Sequence, residues 1–136
     1  MTWNEVTKHI CSVILGLFFI KIGIDHLVEP EWFEQIVPKA IGLPKFWVLL
    51  TGIMEIALGL GLILPKLRSQ ASIAVVVFLI GIYSANLHMW VNNIPIDGNN
   101  FETKWHILRL LGQLLMIIIA LWVGGWLDNR YLLKNK

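Results

Sequence analysis

Residues 46–64 read FWVLLTGIMEIALGLGLIL, nineteen positions with one charge, Glu55, set among leucine, isoleucine and glycine. A helix of about 20 residues crosses a hydrocarbon layer of about 30 Å, so this stretch is long enough to span a membrane. Three more stretches read alike, giving spans at 6–27, 46–64, 71–91 and 105–127. They are continuous apolar runs rather than alternating ones, which selects helices over a barrel. The first span carries no small-residue cleavage pattern and continues into Lys21, Asp25 and His26, so it reads as a retained helix rather than a leader.

Composition agrees. The chain is 57% hydrophobic and 15% charged, against about 25% charge in a soluble domain, and its mean hydropathy is +0.69. A net charge of +2 leaves no basic stripe for phosphates, so no nucleic-acid partner is expected. The single cysteine, Cys11, excludes an internal disulfide or a CxxC pair. The expected class is all-α: one membrane domain over 1–136, a four-helix bundle in contact with the lipid bilayer.

The connections fit that count. Residues 65–70 form a tight turn, and 92–104 are polar, with Pro95 and Gly98. Between the first two spans, Pro30, Pro38 and Pro44 interrupt helix. There Trp32, Phe33, Ile36 and Val37 share one helical face, which predicts a short helix lying on the membrane surface. Lysine and arginine number six on the side of the termini and three on the other, so both termini are expected in the cytoplasm.

An ionisable group at membrane depth is costly, and by default it is functional. Glu55 lies about 14 Å below Phe46, near the midplane. Glu102, His106, Arg109 and Gln113 fall on one face of the fourth span, and Tyr83, Asn86 and Trp90 on one face of the third. Lys21 and Asp25 stand at i, i+4 in the first. All lie nearer the side away from the termini, which predicts a pocket opening there. The expected pocket residues are Glu55, Asn86, Arg109, Gln113, Tyr83, Lys21 and Asp25, with Glu55 the candidate catalytic group. Side-chain tilt toward each helix's amino terminus predicts a deep Lys21–Glu55 pair and a shallow Asp25–Arg109 pair, with Glu55–Arg109 as the alternative. His26, His88 and His106 lack metal-ligand spacing and read as hydrogen-bonding residues, with no metal site. The helix glycines, Gly16, Gly23, Gly52 and Gly59 among them, read as points of close helix approach.

The chain resembles the DoxX-like small membrane proteins of bacteria. The likeness runs through Gly23-Ile24-Asp25-His26-Leu27 with Pro30 and Trp32-Phe33, and then Thr51-Gly52-Ile53-Met54-Glu55-Ile56. It continues in Ser84-Ala85-Asn86-Leu87-His88-Met89 and Leu108-Arg109-Leu110-Leu111-Gly112-Gln113. Ser84 stands where the family pattern has proline, and Leu111-Gly112 alter its arginine-leucine-proline-leucine-glutamine run. The resemblance implies a four-helix bundle of the bacterial inner membrane that accompanies oxidoreductases, as in thiosulfate:quinone oxidoreductase. It sets Glu55, Asn86, Arg109 and Gln113 at motif positions.

The expected function is therefore a ligand-binding subunit that takes a quinone or another lipophilic compound and assists a membrane or periplasmic redox partner. No resident cofactor is expected beyond a bound quinone, and a homo-oligomer is compatible with the sequence. The alternatives are an intramembrane enzyme using Glu55 as proton shuttle, and a structural or small-solute transport protein.

Overall fold

In the computed structural model residues 1–128 are described; Arg130, Lys134 and Lys136 of the charge count lie outside them. Helix α1 (Trp3–Val28) opens on a capping box, Thr2 accepting from the Glu5 N–H while its own N–H donates to the Glu5 carboxylate at 2.7 Å. A short α2 (Pro30–Glu34) and a 3₁₀ turn (Lys39–Ile41) lead into α3 (Pro44–Ile63). Both α2 and α3 begin on proline, whose missing N–H costs nothing in a first turn. Helices α4 (Arg68–Val91) and α5 (Thr103–Val123) complete the bundle. The described residues contain no strand, only an isolated bridge between Ile96 and Asn99.

Four of these helices are long and apolar enough to cross a membrane. Side chains such as Ile14, Ile80 and Leu115 stand exposed on their outer faces, as expected of surface that meets lipid rather than water. By length and composition the chain is a multi-pass membrane protein of all-helical fold.

The fourth span ends four residues before its apolar run does, at Val123 rather than 127. The cause is local. Gly125 takes φ +84°, the Trp126 N–H returns to the Leu121 carbonyl and the Gly125 N–H to that of Trp122. That is a Schellman closure, which glycine permits and which stops a helix whatever the hydropathy of the next residues. The Trp126 indole then donates to Ser69 O and Ser72 Oγ, at 3.0 and 3.1 Å, tying the end of α5 to the start of α4.

Helices α1 and α3 run antiparallel along a seam of glycines spaced seven apart on each. A methyl placed on Gly16 would sit 2.6 Å from the Gly59 carbonyl oxygen, and one on Gly23 2.5 Å from that of Gly52. Only residues without a Cβ permit this approach. The apolar core of Leu15, Phe19, Leu62, Val75, Phe78, Leu79, Ala120 and Val123 fills the half of the bundle nearer the termini. Lys8 closes that end with a 2.6 Å ion pair to Asp128, and Arg68 caps α3 through the Leu62 carbonyl at 2.9 Å. The other half, under α2 and the α4–α5 loop, is not filled.

Candidate functional site

That unfilled half holds a half-open cavity of about 980 Å³, to which all four long helices, the segment following α1 and the α4–α5 loop contribute. Its volume stands at the top of the range of about 300–1,000 Å³ found for ligand pockets. The wall is predominantly aliphatic and aromatic. The ionisable groups in it are His26, Glu55 and Arg109, joined by the amides of Asn86 and Gln113.

Glu55 is 4% exposed and sits near the middle of α3. Its Oε2 lies 2.7 Å from His26 Nδ1. The two atoms meet off the hydrogen-bonding direction, and neither has another partner, so both are buried and unsatisfied. A buried polar atom left unmatched costs about 1–3 kcal/mol, and such exceptions in a folded protein call for a reason. The glycine seam creates the contact. A Cβ on Gly52 would lie 2.7 Å from His26 Cβ, and one on Gly23 3.1 Å from Glu55 Cβ. The seam that brings the helices together thus places imidazole against carboxylate. The Phe33 ring, 4.0 Å away and perpendicular, fixes the imidazole from the side of α2.

Arg109 reaches the cavity from α5. Its Nη1 donates to the Met89 thioether at 3.1 Å, and its guanidinium lies 4.9 Å from the centre of the Phe101 ring. No carboxylate among the described residues pairs with it. Gln113 is buried and donates its amide to the Leu79 carbonyl, joining α5 to α4. Asn86 lines the cavity from α4 and makes no hydrogen bond among the described residues. Glu55, Asn86, Arg109 and Gln113 are thus brought to one space.

Three residues expected there are not. Lys21 and Asp25 bond each other at 2.5 Å, with the Lys21 side chain 70% exposed, and neither lines the cavity. The expected Lys21–Glu55 and Asp25–Arg109 pairs are absent, as is Glu55–Arg109. The reason is rotational. Lys21 and Asp25 are each two residues from Gly23, about 200° around the axis, so the face that meets α3 turns both away. Tyr83 also falls outside the lining, which α4 supplies through Gly81, Ile82, Ser84, Ala85 and Asn86.

His26 is the residue that reading by stripes missed as Glu55's partner. The signal was available: Gly16, Gly23 and His26 stand at intervals of seven and three, on one face. The other histidines are accounted for locally. His88 meets the Asn92 amide at 3.0 Å, and His106 stacks on Trp90 with ring centres 5.5 Å apart. Among the described residues no group of three or more His, Cys, Asp or Glu side chains could hold a metal.

The segment expected to lie on the membrane surface also has a place in the site. Trp32, Phe33, Ile36 and Val37 form part of the cavity wall, so that apolar face covers the open half of the bundle. Gln35 fastens it to the α4–α5 loop: its amide donates to Asp97 Oδ1 at 3.2 Å and its oxygen accepts the Asp97 N–H at 3.1 Å. Asp97 and Gly98, with φ +50° and +77°, make the tight turn that presents this partner. Ile96, beside it, is buried against the cavity.

No curated protein and no solved structure matches this chain. A family model does: it is described as a domain of unknown function, DUF8561, and it matches residues 15–124. The matched range includes His26, Glu55, Asn86, Arg109 and Gln113, and leaves out the Lys8–Asp128 pair at the terminal end. With most of its length so matched, the chain belongs to the DUF8561 family.

Proposed function

We propose that this chain is a DoxX-like inner-membrane protein that binds a quinone or another lipophilic compound within its bundle, as the accessory subunit of a redox system. The observation that carries the reading is the buried His26–Glu55 couple, unsatisfied and set in the wall of a large apolar cavity. An apolar pocket with a few convergent polar groups is the usual form of a ligand site. In support, the four residues at the motif positions of the resemblance all line this cavity. The excess of Lys and Arg near the termini supports a cytoplasmic location for both, which puts the cavity in the periplasmic half of the membrane.

The donor set suits a quinone. Arg109, Asn86 and the His26–Glu55 couple can each hydrogen-bond a carbonyl oxygen, and the aromatic and aliphatic wall receives the ring and tail. A bound quinone would supply two-electron redox chemistry, with electrons from a partner. The chain's own part is to orient the head group, exclude water and present His26 and Glu55 to a ligand oxygen.

The test is equilibrium binding of decylubiquinone to the purified protein in detergent. Glu55→Gln keeps the shape, so it should melt within about 1 kcal/mol of wild type while losing at least about tenfold in affinity. Full binding in that variant contradicts the reading.

A second reading, an intramembrane enzyme in which Glu55 shuttles a proton, draws support from one observation. It needs another acid or base beside Glu55, and His26 stands 2.7 Å away. Deuterium exchange into a lipophilic ketone, catalysed by the wild type and abolished in Glu55→Gln, would put this reading first.

A further inference from the structure

The charges in the cavity wall do not balance. Glu55 already has His26 at 2.7 Å. Among the described residues the lining holds no other carboxylate, and Glu55 makes no ion pair with Arg109. Arg109 is thus a cation in the lining with no carboxylate of the described residues beside it. Its neighbours are a thioether and a phenyl ring, which soften a cation without neutralising it. Of the several N–H donors on a guanidinium, one is engaged by the Met89 sulfur and the others meet no acceptor among the described residues. Arg109 sits six residues beyond the start of α5, roughly 9 Å along the axis. At such depth an arginine without a counter-charge is expensive.

We propose that the cavity selects an amphiphile with an anionic head, its oxyanion on the Arg109 guanidinium and its hydrocarbon chain along the apolar wall. The proposal rests on the ligand-binding reading and narrows the ligand to a class. An oxyanion supplies the missing counter-charge and accepts a forked pair of N–H bonds. Asn86, on the same wall and with its amide free, offers a further donor. The His26 imidazole, in the same wall, offers a bond to a second oxygen. Gly81 and Gly112 both line the space, and a Cβ on either meets nothing within 4 Å, so room remains beside the polar groups for a chain.

The shared chemistry is a long-chain oxyanion, which could come from a free fatty acid or from an acidic phospholipid. The test compares palmitate, hexadecanol, decylubiquinone and dimyristoylphosphatidylglycerol for binding to the purified protein, by native mass spectrometry and by thermal shift. Wild type should hold palmitate, dimyristoylphosphatidylglycerol or both at least about tenfold more tightly than hexadecanol. Whichever of the two binds assigns the source. Arg109→Gln should erase the preference and Arg109→Lys should retain most of it, which separates lost charge from lost folding. Equal binding of palmitate, phospholipid and hexadecanol, with decylubiquinone still bound, overturns this proposal and leaves the ligand-binding reading standing. Binding of none of the four overturns both. An acid preference unchanged in Arg109→Gln places the anion elsewhere and also overturns the proposal.

Discussion

The α1–α3 seam and the cavity side of the bundle use the same residue to opposite ends. Along the seam, glycine removes a side chain so that two backbones can touch: a Cβ on Gly59 would come within 2.5 Å of the Gly16 carbonyl oxygen. On the cavity side, Gly81 and Gly112 face open space, where a Cβ meets nothing within 4 Å. One side of the bundle is thus packed to the limit of backbone contact, and the other is held open. Tight packing holds His26 and Glu55 in place, while the gap leaves the room that the proposed ligand would occupy. Empty volume inside a fold forfeits packing contacts, which a bound ligand would restore.

The comparison can be broken most sharply at its closed side. Gly59→Leu should force α1 and α3 apart and lower stability by about 3 kcal/mol, the upper range for overpacking, whereas Gly112→Leu should melt within about 1 kcal/mol of wild type. Thermal denaturation of both in one detergent tests this, and equal losses would remove the distinction. Next comes the couple at the boundary of the two regions. Glu55→Ala empties the space of a buried side chain beside the seam and should lower stability by about 2 kcal/mol, more than Glu55→Gln in the same melting assay.

Smaller effects sharpen the open side and the outer face. Gly112→Ala fits the available space and gains helix propensity, so it should stabilise by up to about 1 kcal/mol, while Gly16→Ala should destabilise; a shared sign would contradict the assignment. Last, the Lys21–Asp25 pair is exposed and turned from the cavity. Replacing both, as Lys21→Met with Asp25→Leu, should leave ligand affinity within about twofold and change stability by less than about 1 kcal/mol. A large loss of binding would mean that the pair reaches the site after all.

Much of this was legible in the residues. Four apolar runs gave four spans, and the glycines read as places of close helix approach. Polar groups gathered in one half of the membrane predicted where the open space would be. Glu55, Asn86, Arg109 and Gln113 were each picked out by charge or amide character at depth. What could not be read was the rotation of α1. Its face with Lys21 and Asp25 and its face with Gly16, Gly23 and His26 are about 200° apart, and helical periodicity alone does not say which turns inward. Charge suggested the first; the fit of backbone against backbone at Gly52 and Gly59 selects the second. The end of α5 was hidden for a similar reason. Trp126 and Leu127 are apolar enough to continue a span, but the conformation of Gly125 ends the helix before them.

Photoaffinity labelling with an azido-quinone, followed by peptide mapping, asks most directly whether the space between the helices is where a ligand resides. Adducts should fall on cavity-facing positions such as Trp47, Met54 and Met116, and should disappear in Gly112→Phe, which fills that space. Labelling confined to outward-facing positions of α5 such as Leu108, Leu115 and Ile118, unchanged in that variant, would contradict the account.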